Sequence, residues 1–222
     1  MAGCTLWIGV LLSGCASTHE PATSAADPAG AEYGDCAGEL DRDQRMELSA
    51  ALQPAAEGRL HATLARLDTL PDDAVAVRYW RAEVQRRLGD PVARETLEEL
   101  LDTCLSGRAR HALGLLHGER GDLRRAHGYL GDARDLIPDS AAIRNDYGYT
   151  LLRLGQHEAA RFEFRTALEL GGADSHVLDN LMMALLAQER MDELAHLVNE
   201  YDIEPDRLRA VERDVAELLP RR

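Results

Sequence analysis

Small residues and a large apolar residue recur in the same order at a fixed interval of thirty-four in the middle of this 222-residue chain. The recurring positions are Gly114, Gly121, Ala126, Leu130 and Ala133, which return as Gly148, Gly155, Ala160, Phe164 and Ala167. A fixed interval of this length is the signature of a stacked repeat. Small residues let two helices approach closely, and the larger residue fills the space that remains between them. The sequence therefore predicts helix-turn-helix units, with the clearest repeats at 107–140 and 141–174.

This interval and residue pattern are typical of the tetratricopeptide repeat. Aromatic residues make up only 5% of the chain, whereas Ala, Leu, Arg and Glu are abundant, as suits helices packed through Leu and Ala. Strand signals are nearly absent. We therefore expect an all-α fold: a tetratricopeptide-repeat solenoid of antiparallel helix pairs over residues 39–222, with a C-terminal capping helix.

Weaker repeats precede the two clear ones. A degenerate helix pair begins near Leu40, with Pro54 at its break and Pro71 after its second helix. The next unit contains Arg87-Leu88-Gly89, which matches Arg153-Leu154-Gly155, and its second helix is predicted from Val92 to Cys104.

Beyond the clear repeats, a further unit starts at Ser175 and carries Glu189-Arg190 where the other units have glycine. The last helix, predicted from Pro205 to Leu219, has apolar residues on one face and charged residues on the other. We expect it to cap the stack, because the end of a solenoid needs a polar outer face.

The formal net charge of −14 disfavours nucleic acid and anionic lipid surfaces as partners, since both would be repelled. A basic partner, or a basic segment of one, fits this charge better.

The N-terminus has the features of an export signal. An apolar run from Leu6 to Leu12 is too short to span a bilayer. The following Leu12-Ser13-Gly14-Cys15 resembles the lipobox of bacterial lipoproteins. That resemblance implies a signal peptide at 1–15, lipidation of Cys15 and, with Ala16 after it, an anchor on the periplasmic face of the outer membrane. Residues 1–15 contain no Lys or Arg, so either the true start lies upstream or the alternative holds: a short buried helix with an ordinary cysteine.

Residues 16–38 are rich in Ala, Ser, Thr, Pro and Gly and are expected to form a flexible tether. If Cys4 is removed and Cys15 is acylated, Cys36 and Cys104 remain. Two alternatives stay open for them: a disulfide, which the periplasm permits, or two separate thiols.

In repeat arrays of this kind the first helix of each unit lines the concave surface. Its exposed positions are predicted to form a peptide-binding or protein-binding groove lined by Tyr79, Glu83, His111, Leu115, Asn145, Tyr149, Asn180 and Met183. The asparagine amides could hydrogen-bond the backbone of an extended peptide. The alternative is structural: Asn145 caps or bridges neighbouring helices, and Tyr149 and Met183 belong to the core between repeats.

The sequence does not predict an enzyme. It has eight histidines, but none lies in an HExxH pair, and GxSxG, P-loop and GxGxxG patterns are absent. His117 occupies a position where the repeat family usually has Tyr, so it is expected to be a packing residue. We expect no catalytic residue, metal or cofactor.

Two stretches resemble the tight-adherence D (TadD-type) lipoprotein family of Flp pilus assembly. They are Asn145 to Leu152 and, one repeat later, Asp179 to Leu185, with Asp179 in place of the family's first Asn. The resemblance covers roughly residues 107–190. It implies a membrane-anchored adaptor that helps a pilus secretin or its subunits assemble.

Two other functions remain open at this point. One is a pilotin-like escort of the type IV pilus class, which would bind a secretin directly. The other is an accessory or regulatory subunit of a cell-wall enzyme.

Overall fold

The computed structural model describes residues 36, 40–171 and 173–218, and within these the ordered elements are helices. Because no strand occurs in that part of the chain, the all-α prediction is confirmed. The eleven helices are α1 (Arg42–Ala56), α2 (Leu60–Leu67), α3 (Val75–Arg87), α4 (Val92–Glu99), α5 (Ser106–Glu119), α6 (Leu123–Leu136), α7 (Ala141–Arg153), α8 (His157–Gly171), α9 (Ser175–Ala187), α10 (Met191–Glu200) and α11 (Pro205–Leu218).

Consecutive helices pack as five pairs, from α1 with α2 to α9 with α10. The second helix of each pair also packs against the first helix of the next pair, so each unit contacts its neighbours and the array is a solenoid. The last helix, α11, packs against α9, the first helix of the final pair. The two clear repeats correspond to α5 with α6 and to α7 with α8.

Glycines set the close crossing within the two central pairs. A Cβ atom on Gly148 would lie 2.7 Å from Cε1 of Phe164, and one on Gly114 would lie 2.5 Å from Cγ of Leu130. Real Cβ atoms do not approach other carbon atoms so closely, so these helices require glycine at the crossing. The small residue and the large residue of the sequence pattern are therefore direct packing partners.

The turn inside each of the five pairs contains a residue with positive φ, and in the α1–α2 turn this residue is Gly58, with φ of 73°. Gly89, Gly121 and Gly155 have φ between 76° and 78°, a left-handed conformation that costs glycine little. Glu189 takes the same place in the α9–α10 turn with φ of 56°. The degenerate last unit thus keeps the geometry of the turn without the residue that suits it.

Pro54 was predicted to mark the break after the first helix, but it lies inside the last turn of α1. A proline has no N–H group, so the carbonyl of Ala50, four residues earlier, loses its helical donor. The guanidinium of Arg66 on α2 donates to that carbonyl instead, at 3.0 Å. Tertiary packing therefore compensates for the missing bond and lets the helix continue to Ala56.

The second helix of the next unit is shorter than the predicted Val92 to Cys104, because α4 ends at Glu99. Side chains satisfy the carbonyls that follow: the hydroxyl of Thr103 donates to Leu100 at 2.7 Å, and Arg110 donates to Leu101 at 3.1 Å. These local bonds replace further helical turns.

A disulfide joins Cys36 to Cys104 in the connection between α4 and α5, with 5.5 Å between the Cα atoms. The structure thus corresponds to the first of the two alternatives for these cysteines. Cys36 lies in the segment expected to be a flexible tether, yet it is 1% exposed and packs in a core with Leu40. The predicted signal peptide, Cys15 and the rest of the 16–38 segment lie outside the described residues.

The interior consists of two hydrophobic clusters. One extends from Cys36 to Leu113 and the other from Ala126 to Val211, so the division falls inside the α5–α6 pair. Among the described helices, none is both long and apolar enough to cross a membrane.

Candidate binding groove

Four polar side chains from the first helices α5, α7 and α9 form a connected row. Nε2 of His111 lies 2.7 Å from Oδ2 of Asp146, and Nδ2 of Asn180 donates to Oδ1 of Asn145 at 2.8 Å. A longer bond of 3.4 Å from Nδ2 of Asn145 to Oδ1 of Asp146 connects the two pairs. We call His111, Asp146, Asn145 and Asn180 the polar ladder.

The ladder follows directly from the repeat. Both interhelical bonds join residues thirty-five positions apart, His111 to Asp146 and Asn145 to Asn180. One repeat length plus one position therefore brings side chains of successive first helices face to face. Sequence patterns placed His111, Asn145 and Asn180 in the groove but missed Asp146, although its position next to Asn145 and the repeat length would have indicated it.

The row ends at an open depression between α7, α9 and α11. Its lining residues are Tyr149, His176, Asp179, Asn180, Met183, Asp214, Glu217 and Leu218. We call this region the terminal depression. Three of the residues carry carboxylates, and α11 supplies two of them, so this helix forms a wall of the groove in addition to capping the array.

The position of α11 is fixed by contacts with α9. Nε of Arg207 donates to Oδ1 of Asp179 at 2.7 Å, and the same guanidinium also donates to the carbonyl of Ser175. Val211 is buried in the second core cluster. The sequence predicted α11 as a cap but did not place Asp214 or Glu217 in the groove. Their approach to α7 depends on the angle at which α11 packs on α9.

Some predicted groove residues belong to the core. Tyr79 is 5% exposed and packs edge-on against Trp80, with 5.2 Å between ring centroids. Met183 is only 8% exposed, although it forms part of the floor of the terminal depression. Leu115 and Tyr149 are half-buried. The accessible part of the predicted row is therefore its C-terminal part, from α7 to α11.

Glu83 is held by a neighbouring cation. Its carboxylate lies 2.7 Å from the guanidinium of Arg86, which also contacts Glu119 on α5. Burial alone would lower the pKa of Arg86, but the hydrogen bonds and negative charges of Glu83 and Glu119 outweigh it and raise that pKa. This group joins two units and leaves little of Glu83 for a ligand.

His117 behaves as a packing residue. It is 6% exposed and stacks on Tyr129, with centroids 5.5 Å apart and planes inclined by 10°. Burial lowers its pKa, so the neutral imidazole is favoured in the fold. In the described part of the chain, no group of three or more His, Cys, Asp or Glu side chains is arranged to hold a metal ion.

Comparison with known proteins agrees with the repeat assignment. No family model matches the chain. TPR repeat-containing protein PA4299 of Pseudomonas aeruginosa is 38% identical over 178 residues, which cover 80% of this chain and 73% of that protein.

Solved structures share the fold at low sequence identity. MamA residues 41-end from Desulfovibrio magneticus RS-1 has a TM-score of 0.56 at 13% identity and covers 79% of this chain and 98% of its own. The thermophilic TPR protein TTC0263 of Thermus thermophilus has a TM-score of 0.55 at 23% identity, with coverage of 79% and 98%. With its helix pairs, its repeat interval and its relative PA4299, the chain belongs to the tetratricopeptide-repeat (TPR) proteins.

Proposed function

We propose that this chain is an outer-membrane-anchored periplasmic adaptor that binds a protein segment during assembly of a Flp pilus or a related secretion apparatus. TPR proteins generally mediate contacts between proteins, and their stacked first helices form an extended surface for a partner. The observation that carries the proposal is the accessible surface from the polar ladder to the terminal depression. Two units, through α7 and α9, contribute to its accessible part together with α11, as binding of an extended segment requires.

Two further observations support a location in the cell envelope. The disulfide between Cys36 and Cys104 is characteristic of an oxidising compartment such as the bacterial periplasm. The lipobox resemblance at Leu12 to Cys15 supports lipidation, which would hold the domain at a membrane. The resemblance of Asn145 to Leu152 and Asp179 to Leu185 to the tight-adherence D family supports a role in pilus assembly.

The first experiment combines intact mass spectrometry with site-specific photocrosslinking in the native cells. A photoreactive residue replaces His176, which is exposed at the terminal depression. The matched control position is Glu95, which is exposed on α4, a second helix of its pair. A lipid-modified mass that is lost in Cys15→Ser identifies the anchor.

We expect the His176 probe to capture a secretin or pilus component from the membrane fraction and the Glu95 probe to capture none. A soluble, unlipidated chain would contradict the anchor. Capture of peptidoglycan enzymes instead of pilus components would contradict the assembly role. Capture of a secretin alone, with loss of its multimers on deletion, would identify the pilotin-like alternative instead.

A further inference from the structure

We propose that the terminal depression selects a positively charged side chain, Lys or Arg, in the segment bound along the groove. This inference rests on the proposed function in one respect: it takes the first-helix surface as the place where a protein segment lies. It adds the chemistry that this surface recognises.

Charge is the first argument. Asp214 and Glu217 are exposed, and their side chains form no ion pair or hydrogen bond with another described residue. Asp179 accepts from Arg207 through Oδ1 and is about one third exposed. Three carboxylates therefore face one paired guanidinium, and the lining also contains the imidazole of His176 and the phenol of Tyr149. A cation from a bound segment would therefore meet two carboxylates that form no ion pair with another described residue.

The direction of the hydrogen bonds in the polar ladder is the second argument. Asn180 donates its Nδ2 group to Asn145, and Asn145 donates in turn to Asp146. One N–H of the Asn180 amide is thus used inside the ladder and the other remains, while its Oδ1 atom accepts no hydrogen bond from another described residue. Together with the carboxylates, it makes this wall rich in acceptors, and Lys and Arg are side chains that offer only donors.

The floor of the terminal depression suits the rest of such a side chain. Met183, Leu218 and Tyr149 provide apolar surface next to the carboxylates. Lys and Arg bury their methylene stems on apolar surface while their charged ends remain near polar groups. The Tyr149 ring already receives one cation, since the guanidinium carbon of Arg153 lies 5.9 Å from its centroid. Among the described residues that line the terminal depression, none is Lys or Arg.

The net charge of −14 favours the same class of partner over longer distances. A strongly acidic protein attracts basic segments during diffusional encounter and repels acidic ones. The local carboxylates then decide where the cation is held.

The test measures binding of fluorescein-labelled octapeptides to the full chain by fluorescence anisotropy. The three probes share a Gly-Ser backbone and differ only at two positions, which carry Lys, Gln or Glu. The two carboxylates that α11 contributes to the terminal depression, Asp214 and Glu217, form what we call the acidic wall. The variant Asp214→Asn/Glu217→Gln removes its charge. The control Asp206→Asn/Glu212→Gln removes the same charge from α11 at exposed positions that do not line the terminal depression.

We expect the Lys peptide to bind most tightly and the wall variant to weaken it by about tenfold or more, since hydrogen bonds to charged groups contribute strongly. The control variant should change binding by less than about twofold, because it removes one exposed charge and one partner of the exposed Asp206–Arg209 ion pair, and such surface charges contribute little. Equal weakening by the two variants would reduce the effect to general electrostatics and overturn the proposal, as would equal binding of the three peptides or none at about 1 mM.

A further variant tests whether basic residues of this chain, and not of a partner, occupy the terminal depression. If the Lys peptide binds only after Arg221→Ala/Arg222→Ala, the occupant is the end of this chain and the partner assignment is wrong. The proposed function is tested separately. Capture of a pilus component at His176 without any Lys preference would leave the function standing and remove this inference, whereas Lys preference without such capture would do the reverse.

Discussion

At the residue scale, the same fold constraint is met by different side chains. The polar ladder uses His with Asp in one pair and Asn with Asn in the next. The turn inside each pair uses glycine four times, at Gly58, Gly89, Gly121 and Gly155, and then Glu189. The repeat interval alone placed His111, Asn145 and Asn180 on the first helices. It did not show that the amides of Asn145 and Asn180 bond each other, because that bond depends on the side-chain rotamers and on the spacing between neighbouring units.

Glu189→Gly should stabilise the domain. The left-handed conformation costs a residue with a Cβ atom about 1–2 kcal/mol, and glycine avoids this cost but gains freedom in the unfolded chain. The net gain should be about 0.5–1 kcal/mol, which corresponds to a rise in Tm of about 1–4 °C for a domain of this size. Differential scanning calorimetry measures it.

The matched control is Gly155→Ala, which makes the opposite change in the preceding turn, where φ is 77°. It should lower Tm by a similar or larger amount. An unchanged or lower Tm for Glu189→Gly would show that the glutamate side chain contributes more than the turn strain costs.

At the element scale, the predictable helices are those whose boundaries depend on local sequence. The glycine and alanine spacing predicted the α5–α6 and α7–α8 pairs because a small residue must face a large one at each crossing. The ends of α1 and α4 were predicted incorrectly, since Arg66 from the next helix and Thr103 with Arg110 supply the bonds that decide them. Such long-range or irregular bonds leave no periodic signal.

Gly148→Ala should destabilise the α7–α8 pair. The added methyl group would lie 2.7 Å from the Phe164 ring, which is fully buried. Overpacking of this kind costs about 1–3 kcal/mol, which exceeds the gain of about 1 kcal/mol from the better helix propensity of alanine. Urea unfolding followed by circular dichroism measures the difference.

Gly128→Ala is the control, because it lies inside α6 and a Cβ atom there meets nothing within 4 Å. This change should raise stability by up to about 1 kcal/mol. If both substitutions stabilise the protein equally, the crossing is looser than the structure indicates.

At the scale of the whole molecule, two hydrophobic clusters divide the array near the α5–α6 pair. The disulfide belongs to the first cluster and the terminal depression to the second. Composition and repeat interval were sufficient to predict the solenoid and the end cap. The acidic wall could not be predicted, because it arises from the angle at which α11 packs on α9.

The variant Cys36→Ser/Cys104→Ser should lose stability in the first cluster. The bridge joins residues sixty-eight positions apart, and closing a loop of that length stabilises a fold by about 4 kcal/mol in the chain-entropy description. Hydrogen exchange should show faster exchange in α1 to α4. Helices α7 to α11 should keep their protection, because repeat arrays depend mainly on contacts between neighbouring units.

Binding of the Lys peptide should be unaffected by this substitution. Uniform loss of protection across all helices would show that the two clusters unfold as one unit, contrary to this expectation.

The disulfide also decides how tension would cross the molecule. A chain anchored upstream of Cys36 and gripped by a partner at α9 has a covalent shortcut from Cys36 to Cys104. Pulling force would pass through the two sulfur atoms and enter the array directly before α5, so that α1 to α4 lie on a slack branch. Under the proposed function, a filament that pulls on the bound partner would therefore load the groove units without unravelling the first four helices.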